Sequence, residues 1–153
     1  MKKQKDRRYF ENYFLERFGV EPAVWSNYVI HTGRRSVYIY PKEAEPPEGW
    51  QFKARGFRIA RLTTAAYKPG NRLLQWLNDS ITKNLIELER GELKQLMNRR
   101  DIEPQAEHFC SRGYVALVYR KLVVGCGFWT GQKLRTQMSK GICRQFPDAA
   151  FSG

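Results

Sequence analysis

The sequence predicts an α+β protein: an N-terminal lobe mixing helix and strand, residues 1–79, followed by a mainly β lobe, residues 80–153. Three observations predict it. Aromatic residues between Asp6 and Phe18 recur at spacings of one, three and four, as on one face of a helix. Short β-branched and aromatic runs punctuated by glycine fill much of Trp25–Leu62. Two nearly continuous apolar runs, Gly113–Arg120 and Leu122–Trp129, read as buried strands.

The elements follow in order. Met1–Lys5 reads as a mobile basic tail. Tyr9, Phe10, Tyr13, Phe14 and Phe18 give helix one its aromatic face, and Gly19 supplies its stop. Trp25–Ile30 and Ser36–Tyr40 flank a glycine turn and predict a hairpin with Arg34 and Arg35 at its tip. Pro41–Gly49 is a loop, through Pro46-Pro47. Trp50–Leu62 reads as two short strands broken at Gly56, and strict alternation after that glycine places Arg58 and Arg61 on different faces. Leu73, Leu74 and Leu77 predict a short helix over Asn71–Asn78, after which Asp79-Ser80 marks the boundary. Asn84–Glu89 reads as a strand, Gly91–Asn98 as a helix and Ile102–Arg112 as a polar connector. A basic turn joins the two final strands.

With 153 residues the chain can bury roughly two-thirds of its unfolded surface, so a packed core needs no staples. Three cysteines, Cys110, Cys126 and Cys143, form no C-x-x-C pair, which argues against a disulfide framework or zinc clip and for a reducing compartment. No apolar run is long enough to span a bilayer, so a cytoplasmic location without membrane association is expected. A formal net charge of +12 points instead to a polyanionic partner, nucleic acid first.

Chemistry-bearing motifs are scarce. Gly125-Cys-Gly127 lacks the third glycine and following helix of a dinucleotide fingerprint, and Gly125 and Gly131 are one residue too far apart for a P-loop. Strand glycines at a bulge or close approach are the better reading. Cys110 and His108 are near in sequence but poorly placed for a nucleophile–base pair. Glu87, Glu89 and Glu92 alternate with Arg90 and Lys94, as on a solvated face laced with ion pairs. No metal-ligand cluster or cofactor motif is found, and neither metal nor cofactor is expected.

One charge pattern stands out. From His108 to Pro147 there are seven basic residues, Arg112, Arg120, Lys121, Lys133, Arg135, Lys140 and Arg144, and no acidic one, with Phe128 and Trp129 at a strand end. Cations that neutralise phosphates beside aromatic surface are what RNA binding requires.

The residues carrying this pattern also resemble a known family. Gly113-Tyr-Val-Ala-Leu-Val-Tyr119, Lys121-Leu-Val-Val-Gly125-Cys-Gly127, Gly131-Gln-Lys-Leu134 and Ser139-Lys-Gly-Ile-Cys-Arg144 resemble the PUA-like RNA-binding domain at the C-terminus of Sun-family ribosomal RNA cytosine-5 methyltransferases. Phe18-Gly-Val-Glu-Pro22, Gly56-Phe-Arg-Ile, Lys68-Pro69 and Arg100-Asp-Ile102 extend the likeness upstream. Arg135-Thr136 replaces that family's Lys-Asn, and Ser139 its Pro. The methyl-donor motif is missing, and no cysteine stands in the family's catalytic context.

The resemblance implies a PUA-like β-barrel in the second lobe and a non-catalytic module that binds structured RNA, with ribosomal RNA or a pre-ribosomal particle as partner. A methyltransferase domain on this or another chain would be a further partner. Expected contacts are Arg112, Lys133, Arg135, Lys140 and Arg144, with Phe128 or Trp129 stacking and Arg34 and Arg35 extending the surface. Two alternatives remain. One is a ribosome-assembly factor docking on a protein partner through the aromatic helix Asp6–Phe18, where Tyr9, Phe10 and Phe14 are the test residues, or through an uncovered sheet face. The other is an enzyme whose pocket joins Cys110, His108 and a carboxylate.

Overall fold

A computed structural model describes residues 2–44 (side chains from residue 6), 56–64 and 66–138. Its order is α1 (Lys2–Phe18), β1 (Tyr28–Thr32), β2 (Ser36–Pro41), β3 (Phe57–Leu62), β4 (Tyr67–Pro69), α2 (Asn71–Leu77), β5 (Leu85–Glu87), α3 (Arg90–Met97), β6 (Gly113–Tyr119), β7 (Leu122–Trp129) and β8 (Leu134–Thr136). The class is α+β. Helix α1 begins at Lys2, so the backbone expected to be a tail is helical there. Trp50–Arg55 and Pro46-Pro47 lie outside the described residues.

The strands form two four-stranded sheets, β1-β2-β3-β4 and β5-β6-β7-β8. The first is antiparallel throughout; in the second, β5 runs parallel to β6 and the remaining pairs are antiparallel. Among the described residues both sheets are open, so the barrel expected of the second lobe is not formed by them. The short strands β4 and β8 were not expected from the sequence.

Helix α1 turns Phe10, Phe14 and Phe18 inward, each fully buried. Phe10 and Phe14 meet Trp25 with ring centroids 5.0 and 5.5 Å away. Burying each such ring contributes about 1.5–3 kcal/mol. The aromatic face expected as a docking interface is therefore core, leaving only Tyr9 well exposed. Gly19, at φ +69°, ends the helix where a Cβ would collide with Thr82 Oγ1.

This first core draws on Val37, Ile59 and Leu74, and also on Ala116, Val123 and Cys126 of the second sheet. The second sheet's opposite face carries another core, where Val115, Leu117 and Leu134 pack with Ile86, Leu93, Leu96 and Met138. Both faces of β6 and β7 are thus covered, which is why their sequence is almost continuously apolar. In the first turn of α3, Glu92 is buried rather than solvated. Its carboxylate accepts from the Glu89 and Gln105 amides at 2.9 Å each, capping the helix and fixing the connector.

Helix α2 fills a gap in the second sheet. On β7, strand β8 reaches only Gly127, Phe128 and Trp129, so among the described residues the earlier part of that edge has no strand. Asn71 Oδ1 accepts from Cys126 N–H at 2.7 Å, Gln75 Nε2 donates to Val124 O at 2.8 Å, and Asn78 Oδ1 accepts from Val123 N–H at 2.9 Å. Spacings of four and three put these amides on one helical face. Close approach requires Gly125, where a Cβ would lie 2.8 Å from Met138 Sδ and 2.9 Å from Asn71 Oδ1. A register shift between Leu117 and Val118 makes the same stretch a bulge, so both expectations for these glycines hold.

Candidate nucleic-acid interface

A second bulge helps to shape a basic concavity. In the β2–β3 ladder Val37 faces Ala60 while Tyr38 faces Arg58, so Ile59 is an extra residue on β3. Ile59 and Ala60 consequently both point inward, and Arg58 and Arg61 both remain exposed. The alternation expected to separate the two arginines is broken at that point. Next to them, β3 pairs with β4 so that Arg61 stands directly opposite Lys68.

Arg58, Arg61 and Lys68 line a cleft of about 600 Å3 with Arg72 at the start of α2, Arg99 after α3, and the stretch Thr136–Met138. Among the described residues, no acidic side chain lines it. Nor does any described carboxylate pair with Arg58, Arg61, Lys68 or Arg72. Arg99 is held in place by donating from Nη1 to Met138 O at 3.1 Å, and its backbone adopts φ 62°. A non-glycine residue in that region carries a conformational cost.

The residues expected from sequence distribute differently. Arg112 lies over the Phe128 ring at 5.8 Å, and Phe128 packs edge-on against Tyr114 at 5.2 Å. Phe128 is also the register partner of Arg135. Arg112, Phe128 and Arg135 therefore come together, but the Phe128 ring is half-buried and already has a cation and an edge against it. Arg135 forms an ion pair with Asp101 at 3.2 Å. Trp129, the next residue along β7, packs with the second core and meets His108 edge-on at 4.7 Å. Lys133 is exposed on the β7–β8 turn, beside a Thr130 Oγ1 that accepts its amide.

Arg34 and Arg35 are exposed at the β1–β2 tip. Arg35 O accepts from Leu62 N–H at 2.9 Å, which brings this tip beside the end of β3 that carries Arg61. Lys140 and Arg144 lie outside the described residues. Sequence reasoning thus missed Lys68, Arg72 and Arg99 as cleft residues. Arg58 and Arg61 were also absent from the expected contacts, because the alternation rule placed them on different faces.

A smaller cleft of about 400 Å3 gathers Glu107, His108 and Cys110 with Lys83, Asn84 and Phe109. Its chemistry is quiet. His108 Nδ1 accepts from the Cys110 amide at 3.3 Å, and the thiol donates to Leu85 O at 3.5 Å. Burial pushes the Cys110 thiol up, against an opposing pull from Arg17. A nucleophile needs the opposite shift and a base on Sγ. No group of three or more His, Cys, Asp or Glu able to hold a metal occurs among the described residues. Likewise, no described helix is long and apolar enough to cross a membrane.

No protein-family model matches the chain. Curated relatives are nevertheless similar to most of it. Ribosomal RNA small subunit methyltransferase F of Vibrio cholerae is 24% identical over 109 residues, 71% of this chain and 23% of that protein. The protein of the same name from Aeromonas hydrophila is 26% identical over 112 residues, 71% of this chain and 22% of its own length. That of Vibrio atlanticus is 22% identical over 111 residues, covering 72% and 23%. The match thus spans less than a quarter of each of these relatives.

Proposed function

We propose that this chain is a non-catalytic module that binds structured RNA, with ribosomal RNA or a ribosome precursor as its partner. The observation that carries the reading is the Arg61–Lys68 pair. Like charges directly opposite on neighbouring strands destabilise a sheet, and these two share an acid-free cleft with Arg58, Arg72 and Arg99. An RNA phosphate supplies the missing counter-charge. The named relatives act on ribosomal RNA, which supports the choice of polyanion. Arg112, Lys133 and Arg135 extend the basic surface on the second sheet, and Arg34 and Arg35 extend it at the hairpin tip. Phosphate-directed cations supply most of the affinity.

The experiment is a titration with labelled small-subunit ribosomal RNA fragments across a range of salt. With five phosphates contacted, log affinity falls against log salt with a slope of roughly −3.5 by the single-strand coefficient. The Arg61→Glu variant separates RNA binding from folding. It should weaken RNA binding and flatten the slope by about one. It should also raise stability by about 0.2–1 kcal/mol, because the introduced carboxylate would face Lys68 as an opposite charge. Salt-independent, uniformly weak binding by the wild-type protein would overturn the reading.

A further inference from the structure

Resting on that RNA-binding reading, the geometry points to the kind of RNA the cleft takes: we infer that it receives an unpaired stretch, held by its sugar-phosphate backbone, and excludes a duplex. The cations come from three separate parts of the fold. Arg58, Arg61 and Lys68 stand on β3 and β4, Arg72 on α2, and Arg99 on the turn after α3. They are arranged around a concavity rather than along a flat face.

A duplex presents its phosphates on a convex surface and is recognised across its grooves. It can touch the rim of such a concavity but cannot enter. At about 600 Å3 the cleft has the dimensions of a ligand pocket, enough for one or two nucleotides of a single strand.

The lining also indicates which part of the nucleotide is gripped. Among the described residues it contains no aromatic side chain, so none of them offers a stacking platform for a base. It offers instead guanidinium and ammonium groups, together with the side chains of Asn71, Thr136 and Gln137. These suit phosphate and sugar oxygens, and they read no base sequence. The cleft therefore binds oligouridine and oligoadenosine alike, and selects RNA by the presence of an unpaired segment.

The test uses the full chain and fluorescence anisotropy. The probes are labelled oligouridine and oligoadenosine of about ten nucleotides, within the usual single-strand site sizes, and a blunt RNA duplex of equal length. Wild type is compared with an Arg61→Gln, Arg99→Gln variant and with an Arg58→Gln, Arg72→Gln variant, each checked for unchanged thermal unfolding cooperativity. The expected result is comparable affinity for the two single strands, both bound at least about tenfold more tightly than the duplex, with about a tenfold loss in each variant. A duplex bound as tightly as the single strands overturns the inference while leaving RNA binding intact. So do variants that retain full affinity for oligouridine. Failure of wild type to bind these probes or a small-subunit ribosomal RNA fragment overturns the RNA-binding reading itself.

Discussion

At the scale of single residues, Arg99 shows how a site is recorded in backbone strain. It follows the Asn98 C-cap of α3 with φ 62°, a position that glycine ordinarily fills at less cost. An arginine held there, its guanidinium tied to Met138 O and lining the cleft, exchanges stability for charge placement. Arg99→Gly should raise the unfolding free energy by up to about 1 kcal/mol and weaken RNA binding, as read by denaturant melts beside RNA titrations. A variant that loses stability instead would make the Met138 contact the residue's main role. None of this was legible in the sequence, where Arg99 falls just beyond the helix read over Gly91–Asn98 and carries no mark of its backbone conformation. The left-handed conformation appears only once the helix has been docked and its last turn closed.

Among elements, those with a period several residues long were legible and those defined by partners were not. Helix α1 announces itself through four-residue aromatic spacing, and β6 and β7 through uninterrupted apolar runs. The bulge at Ile59 has no local signature. It is imposed by the β2 register, and it moves two arginines to one side. The helix α2 was legible by its leucines, but its opposite stripe of Asn71, Gln75 and Asn78 was not, because amides on a helix ordinarily face water. Here they complete a hydrogen-bonded edge. Asn71→Leu leaves the Cys126 amide without its acceptor and should cost about 1–3 kcal/mol in denaturant unfolding. An unchanged midpoint would mean that water replaces the amide there.

For the whole molecule, the first core spans both sheets, so buried ionisable groups report on the fold as one unit. Burial pushes the Cys126 thiol from 9.0 up to about 12, and also raises Cys110, Tyr114, Tyr67 and Tyr13. The folded protein keeps the Cys126 proton where the unfolded chain gives it up. Its contribution is fully present below pH 9 and declines as pH rises toward 12. Unfolding free energy measured at stepwise higher pH should fall across that window, with a Cys126 share of up to about 1.4 kcal/mol per pH unit. The Cys126→Ala variant should show a shallower alkaline decline, and an identical slope would assign the loss to the tyrosines. The amide stripe of α2 has a consequence for the protein in company. A strand edge left bare invites a neighbouring chain to add itself as the next strand. With the Cys126 and Val123 amides and the Val124 carbonyl already bonded to α2, that edge offers an incoming strand fewer backbone partners.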